Sequence, residues 1–387
     1  MVNFVQGNKI KLLHNGEEYF PSLVNEINRA EREVYIQTYI YEYDKTGRLI
    51  GEVLKSAAAR LVRVHLLVDG FGSRYLPKEF VEDLQQSGVE VMFFRPKISP
   101  WTFKKNRLRR LHRKICVIDA KIAYVGGINI IDDNNAPHKD PPRIDFAVRI
   151  EGPLLLQIHD SVRRLWRHVA WRHLKPVEFA PVLRETQSFT HGINAAFVMR
   201  DNVLHRSDIE KAYLIAIGKA KSEIVIANAY FIPGRPFRKA IVDAAQRGVK
   251  VTLLLQGRME YFLMQATQAL YTPLLQNGIK IYEYHKSFMH CKVAVIDRNW
   301  ATVGSSNIDP FSLLLAREAN IMVLDSSFSQ KLYEEVERLI NEGSHPVLLD
   351  DWKNAHLLKR VFSWIIFGLM RLFLGLIGFS EREFDKS

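Results

Sequence analysis

The chain reads LHRKICVIDAKIAYVGGIN at 111–129 and MHCKVAVIDRNWATVGSSN at 289–307. Both stretches follow one rule: His, any residue, Lys, four residues, Asp, six residues, Gly, two residues, Asn, with the two copies 178 residues apart. The runs ICVID and VAVID are apolar and largely β-branched, so each copy lies at the start of a strand whose alternate residues share a face. That places His112 with Lys114, and His290 with Lys292, and turns Cys291 the other way, into packing. The glycines at 126–127 and 304 permit close backbone approach, and Asn129 and Asn307 bring amides to the same region. A lone His-x-Lys on a strand is more often structural than catalytic; two copies with identical spacing reverse that expectation. The tripeptide at 138–140, His-Lys-Asp, has no strand pattern and no counterpart, and receives no role.

The repetition extends outward from the motif. EVYIQTYIY at 33–41 matches EIVIANAYF at 223–231, and GVEVMFF at 88–94 matches GIKIYEY at 278–284, both at an offset of 190. Apolar periodicity predicts helices over 21–30, 47–59, 77–87 and 154–171 in the first half, and over 208–220, 236–247 and 259–277 in the second. Strands over 62–68 and 249–255 alternate with them. The expected architecture is α/β: two similar halves, each a mixed sheet flanked by helices. The first half spans 1–175, a polar linker 176–187, the second half 188–350, and an apolar tail 351–387.

Composition agrees with a large core, at 387 residues and 47% hydrophobic content. A net charge of +12 points to an anionic partner, whether nucleic acid, membrane or phosphate-bearing substrate. Cys116 and Cys291 form no metal or disulfide pattern and read as reduced core residues. The N-terminal stretch has no signal-peptide pattern, and no run of about 18 uninterrupted apolar residues offers a membrane span.

The duplicated H-x-K-x4-D motif resembles that of the phospholipase D superfamily. GNKIKLLHNGEEYFP near the start, IEGP at 150–153, NAYFIPG at 228–234 and ATVGSSNIDP at 301–310 are similar to bacterial cardiolipin synthases, especially the shorter B type without N-terminal transmembrane helices. Two positions depart from that pattern: Gln37 stands where relatives often carry Glu, and Gly127 replaces the Ser of the second copy. Neither is carried over as catalytic.

The resemblance implies phosphoryl-type transfer at a site between the halves, with catalytic His112, Lys114, Asp119, His290, Lys292 and Asp297 and no metal or cofactor. A phosphodiester's anionic oxygens repel nucleophiles, so Lys114, Lys292, Asn129 and Asn307 would hold those oxygens. One neutral histidine attacks phosphorus and the other serves as acid and base. Likeness to the family assigns attack to His112 and proton transfer to His290; the residues themselves leave that order open. Asp119 and Asp297 stand seven residues beyond their histidines, too far along a strand to orient them, which points to a structural task in turns. Asp145 and Glu318, each opening an apolar strand in equivalent places, are the better orienting candidates.

Lipid and nucleic acid are separated by two additions. Gly88 to His112 spans 24 residues and Gly278 to His290 spans 12, so the first half has gained a stretch within 95–110, RPKISPWTFKKNRLRR. Its seven Lys or Arg and its interleaved Trp101, Phe103, Lys104, Lys105 and Arg107 suit either stacked bases or an anionic bilayer. The tail LLKRVFSWIIFGLMRLFLGLIGF, 357–379, is about 34 Å long if helical and carries Trp364 beside a thin polar stripe of Arg360, Ser363 and Arg371. It reads as an interfacial helix. The expectation is a peripheral or monotopic enzyme on the cytoplasmic face of the cell membrane. It would transfer a phosphatidyl group to phosphatidylglycerol, with phosphatidylethanolamine a second candidate donor and no nucleic acid partner. A hydrolytic phospholipase D and a nucleic-acid phosphodiesterase are the alternatives, since both would use the same histidine pair.

Overall fold

The computed structural model describes residues 2–95, 109–136, 142–172, 174, 186–201, 204–258, 262–309, 312, 316–354, 362–369 and 372. The first half runs β1 (Val5–His14), α1 (Asn15–Asn28), β2 (Glu33–Thr38), α2 (Lys45–Ala59), β3 (Arg63–Asp69), α3 (Lys78–Gln86), β4 (Glu90–Phe94), β5 (Arg110–Leu111), β6 (Lys114–Ile118), β7 (Ile122–Gly126), β8 (Phe146–Glu151) and α4 (Leu155–Arg172). The second runs β9 (Ile193–Arg200), α5 (Asp208–Lys219), β10 (Glu223–Asn228), α6 (Arg235–Gln246), β11 (Lys250–Gln256), α7 (Phe262–Gln268), α8 (Tyr271–Gln276), β12 (Lys280–Tyr284), β13 (Lys292–Ile296), β14 (Trp300–Gly304), β15 (Ala316–Leu324), α9 (Ser326–Gly343), β16 (Ser344–Pro346) and α10 (Leu349–Asn354).

Strand order states the duplication directly. From the centre outward, the first half reads β1-β8-β7-β6-β2-β3-β4 and the second β9-β15-β14-β13-β10-β11-β12, with β16 added at the far edge. The halves join where β1 and β9 pair antiparallel, Val5 opposite Ala195 and Asn8 opposite Ile193. In each half two outer pairs are parallel, with the helical crossovers that parallel pairing requires, and the hairpin after the motif is antiparallel. The mixed α/β architecture expected from sequence is the one observed.

Both sheet faces are covered, which is why strands such as β2, β6, β13 and β14 are buried at every position. One core, shared by the halves, lies under α4 and α9 and contains Trp166, Val162, Phe146, Val303 and Leu332. The α1–α3 and α5–α8 layers enclose a separate core in each half. On α4 the apolar stripe Leu155, Ile158, Val162, Leu165, Trp166 and Val169 is buried, and each such side chain contributes roughly 1.5–3 kcal/mol.

Three elements differ from the sequence reading. The opening strand β1 was not anticipated, and α1 begins at Asn15, so Pro21 lies inside it. The single helix expected over 259–277 is two short helices, α7 and α8, separated by a turn at 269–270. The segment 362–369 is helical, but Ser363 is fully buried beside Ile366 and Phe367 in the second half's core. The polar position expected to face outward there faces inward, and Phe362, Trp364, Ile365 and Leu369 are half-exposed. Packing against an existing core decided the helix's orientation. Most of the expected linker, and the 138–140 tripeptide, lie outside the described residues.

Candidate active site

The two motif aspartates hold the hairpins that carry the site. Asp119 and Ala120, and likewise Asp297 and Arg298, have φ near +50°, left-handed positions that Asp tolerates better than most residues. Asp119 accepts backbone N–H bonds from Glu31, Arg32 and Glu33 at 2.8–2.9 Å. Asp297 accepts the equivalent three from Lys221, Ser222 and Glu223 at 2.8–3.0 Å. Each carboxylate thus ties the turn after one strand to the entry of its neighbour. Both aspartates sit at the far end of the strand from the histidines, and their oxygens accept mainly from backbone N–H groups, which points to a structural task.

At the near end, each histidine lies two residues before its strand and is held by the opposite half. β5 pairs parallel with β15, and His112 N–H donates to Arg317 O at 3.0 Å. Reciprocally, Ile144 bridges Met289, and His290 N–H donates to Ile144 O at 2.7 Å. The side chains repeat this exchange. His112 Nδ1 lies 2.9 and 3.1 Å from the two oxygens of Glu318, and His290 Nδ1 lies 2.7 Å from Asp145 Oδ2. With both Nδ1 atoms engaged, Nε2 is the nitrogen each imidazole leaves for chemistry.

Lys114 and Lys292 are buried beside them, their ammonium groups donating to the carbonyls of His112 and His290, and Lys292 lies 3.7 Å from Asp145. Burial, only partly offset by Glu318 and reinforced by the charge of Lys292, brings Lys114 down to about 7. Burial lowers Lys292 as well, against the pull of Asp145. Burial also lowers both imidazoles below their ordinary value; at His112 Glu318 opposes it, whereas at His290 Lys292, Arg143 and Lys114 reinforce it, and His290 falls further. Both shifts favour the neutral imidazole, the form that attacks phosphorus. Asn129 and Asn307 are buried at the strand-to-loop junctions; Asn129 Oδ1 accepts from Ile40 N–H at 3.1 Å, and Asn307 Oδ1 has no hydrogen-bond partner among the described residues.

The Gly127 departure has a steric cause. A Cβ there would lie 2.1 Å from Asp145 Oδ1, whereas Ser305, its counterpart, donates to Glu318 Oε2 at 2.5 Å and accepts from Ala319 N–H at 3.0 Å. The shorter Asp145 carboxylate fills the space that a serine side chain takes in the other half. Gln37 serves structure: its Oε1 accepts from Arg113 Nε at 2.7 Å and its amide donates to Val162 O. Arg113, between His112 and Lys114, also donates to Ser161 and so locks β6 to α4.

Sequence reasoning missed Asp69. It is fully buried at the end of β3 and accepts from Leu111 N–H at 2.8 Å, fixing the residue before His112. Its only signal was an Asp-Gly pair closing an apolar strand. Trp101, Phe103, Lys104, Lys105, Arg107 and Arg371 lie outside the described residues; Trp364 is 54% exposed on the helical tail segment. Among the described residues no helix is long and apolar enough to cross a membrane.

One α/β plan used twice, with its paired histidines meeting where the copies join, is the arrangement of phospholipase D-like proteins. The chain belongs to that class's cardiolipin synthase family: the family described as "Cardiolipin synthase, PLD-like domain" matches residues 23–144 and 213–340. The chain is 38% identical to cardiolipin synthase B of Escherichia coli K12 over 348 residues, covering 87% of this chain and 81% of that one. It is 31% identical to a probable cardiolipin synthase of Bacillus subtilis over 347 residues, covering 88% and 68%. Among solved structures, the phosphatidylserine synthase of Haemophilus influenzae superposes with a TM-score of 0.68 at 12% identity, covering 97% of this chain and 95% of that one. That similarity concerns the fold.

Proposed function

We propose that this chain transfers a phosphatidyl group from one phospholipid to a hydroxyl of phosphatidylglycerol, giving cardiolipin through a phosphohistidine. The observation that carries the reading is the exchanged pair, His112 with Glu318 and His290 with Asp145, flanked by two buried lysines. Lys114, Lys292, Asn129 and Asn307 hold the anionic oxygens. His112 Nε2 attacks phosphorus while the bond to the headgroup oxygen breaks, and His290, protonated once the anionic phosphate is bound, gives that oxygen its proton. The acceptor hydroxyl then passes its proton to His290 and bonds to phosphorus as the P–N bond breaks, its electrons returning to His112. Names of the relatives support the lipid class of substrate, and the half-exposed apolar face at 362–369 supports a peripheral seat on the membrane surface.

The test is to incubate the purified chain with acyl-labelled phosphatidylglycerol vesicles, with and without phosphatidylethanolamine. Cardiolipin and one released alcohol per transfer are expected. Phosphatidic acid as the main product would favour hydrolysis, and cleavage of DNA in the absence of lipid would favour a nuclease.

A further inference from the structure

The catalytic groups obey the two-fold plan, but the cations around them do not: Arg317 and Arg200 stand by Glu318, and Arg143 stands on the side of Asp145. Arg143 stands two residues before Asp145; the equivalent position before Glu318 is Ala316. A reacting phosphate shared by both halves has no need of a one-sided charge. A substrate that approaches from one side does.

Arg143 lies on the His290 side. It immediately precedes Ile144, whose backbone binds Phe288 and His290 across the half boundary. Its guanidinium carbon sits 5.2 Å from the centroid of the Phe288 ring, and that ring stacks on His290 at 6.0 Å, inclined by 25°. The charge is therefore one aromatic ring away from the imidazole that handles the alcohol proton. Nη2 donates to Asn135 O at 3.1 Å, while the buried Nε finds no hydrogen-bond partner among the described residues. Among the described residues Arg143 makes no ion pair within 4 Å, although its charge acts on the carboxylates of Asp133 and Asp145. Its charge also contributes to lowering His290 and Lys292, which places it within electrostatic reach of the reaction centre.

We infer that Arg143 holds the phosphodiester of the acceptor lipid, positioning that lipid's glycerol hydroxyl at His290. The inference rests on the phosphatidyl-transfer reading above. The acceptor's own phosphate is separated from the attacking oxygen by one glycerol unit, and an arginine fork suits a phosphate through paired N–H bonds. Water and simple alcohols lack that handle, so Arg143 selects an anionic acceptor over them. The bonds made and broken are those of the second transfer step: O–P forms, P–N breaks, and the hydroxyl proton moves to His290.

A competition in one vessel tests this. Phosphatidylglycerol vesicles with deuterated acyl chains supply the phosphatidyl group, while carbon-13 glycerol and glycerophosphoglycerol compete as soluble acceptors, and mass spectrometry counts the products. The product ratio cancels differences in folded fraction. The native chain should favour glycerophosphoglycerol, mole for mole, by roughly tenfold or more; Arg143→Gln should bring the ratio near unity, and Arg143→Lys should restore part of it. If the native chain transfers to both acceptors without preference, or Arg143→Gln keeps the preference, the assignment of Arg143 is overturned. If cardiolipin forms but glycerophosphoglycerol is not used, the assignment of Arg143 is likewise overturned; if neither cardiolipin nor a soluble transfer product forms, the phosphatidyl-transfer reading falls and this inference with it.

Discussion

Replacing Glu318 by Gln probes the exchange of carboxylates between halves with almost no change of volume. Glu318 is fully buried, and its two oxygens receive His112 Nδ1 and the Ser305 hydroxyl. An amide has one acceptor oxygen, so its NH2 must face one of two buried donors. The strain is relieved when His112 moves its proton to Nε2 and accepts at Nδ1, which blocks the nitrogen that attacks. The lost energy has two sources. A hydrogen bond to a charged group is worth about 1.5–3 kcal/mol, and a carboxylate about 4 Å from the positive charge that develops on imidazole gives about 4 kcal/mol at an effective dielectric of 20. These overlap, so about 4 kcal/mol is the working figure, which is roughly a thousandfold in kcat. The assay is release of headgroup from a short-chain soluble donor under single-turnover conditions, with circular dichroism to verify folding. KM should change little, because the lysines and asparagines remain. Adding His112→Ala to Glu318→Gln should give activity no lower than His112→Ala alone. If Glu318→Gln keeps more than about a tenth of the native kcat, the orienting role is wrong.

Three further outcomes follow from the geometry. Because Lys114 loses its proton as pH rises through about 7, kcat/KM on a soluble donor should fall above about pH 7; a profile flat to pH 9 would contradict this. Asp119→Ala removes the acceptor for three backbone N–H groups and should cost about 3 kcal/mol, read as a Tm fall of roughly 4 °C, while activity per folded molecule in the cold stays within about threefold. Trp364, half-exposed beside Ile365 and Leu369, should shift its fluorescence to shorter wavelength on addition of anionic vesicles, and Trp364→Ser should weaken vesicle binding; no shift would leave the tail as packing alone.

Much of this molecule is legible because it is written twice. Duplication exposed the strand that begins at each lysine and the equivalent places of Asp145 and Glu318. What stayed hidden depends on tertiary contact. No spacing rule shows that each carboxylate serves the histidine of the other half, since that follows from β5 on β15 and Ile144 on Met289. The strand β1 was missed because VQGNKIKLLH mixes glycine, asparagine and lysine into its alternation; only the join with β9 and β8 accounts for its burial. Gly127 looked like a departure, and the reason, an Asp145 carboxylate where a Cβ would go, is a distance that no linear pattern contains. Asp119 and Asp297 were readable as structural from their distance along the strand, though their partners at 31–33 and 221–223 were not.

The central claim is that one histidine carries the phosphatidyl group while the other moves protons, and trapping tests it most directly. In His290→Ala a donor with a p-nitrophenol leaving group needs no acid, yet the next step lacks its base, so the adduct should accumulate. The account predicts a burst of one nitrophenol per enzyme and an acid-labile, base-stable phosphate on His112 by mass spectrometry. The same treatment of His112→Ala should yield none. An adduct on His290 in His112→Ala and none in His290→Ala would reverse the roles, and turnover without any phosphohistidine in either variant would contradict the double displacement itself.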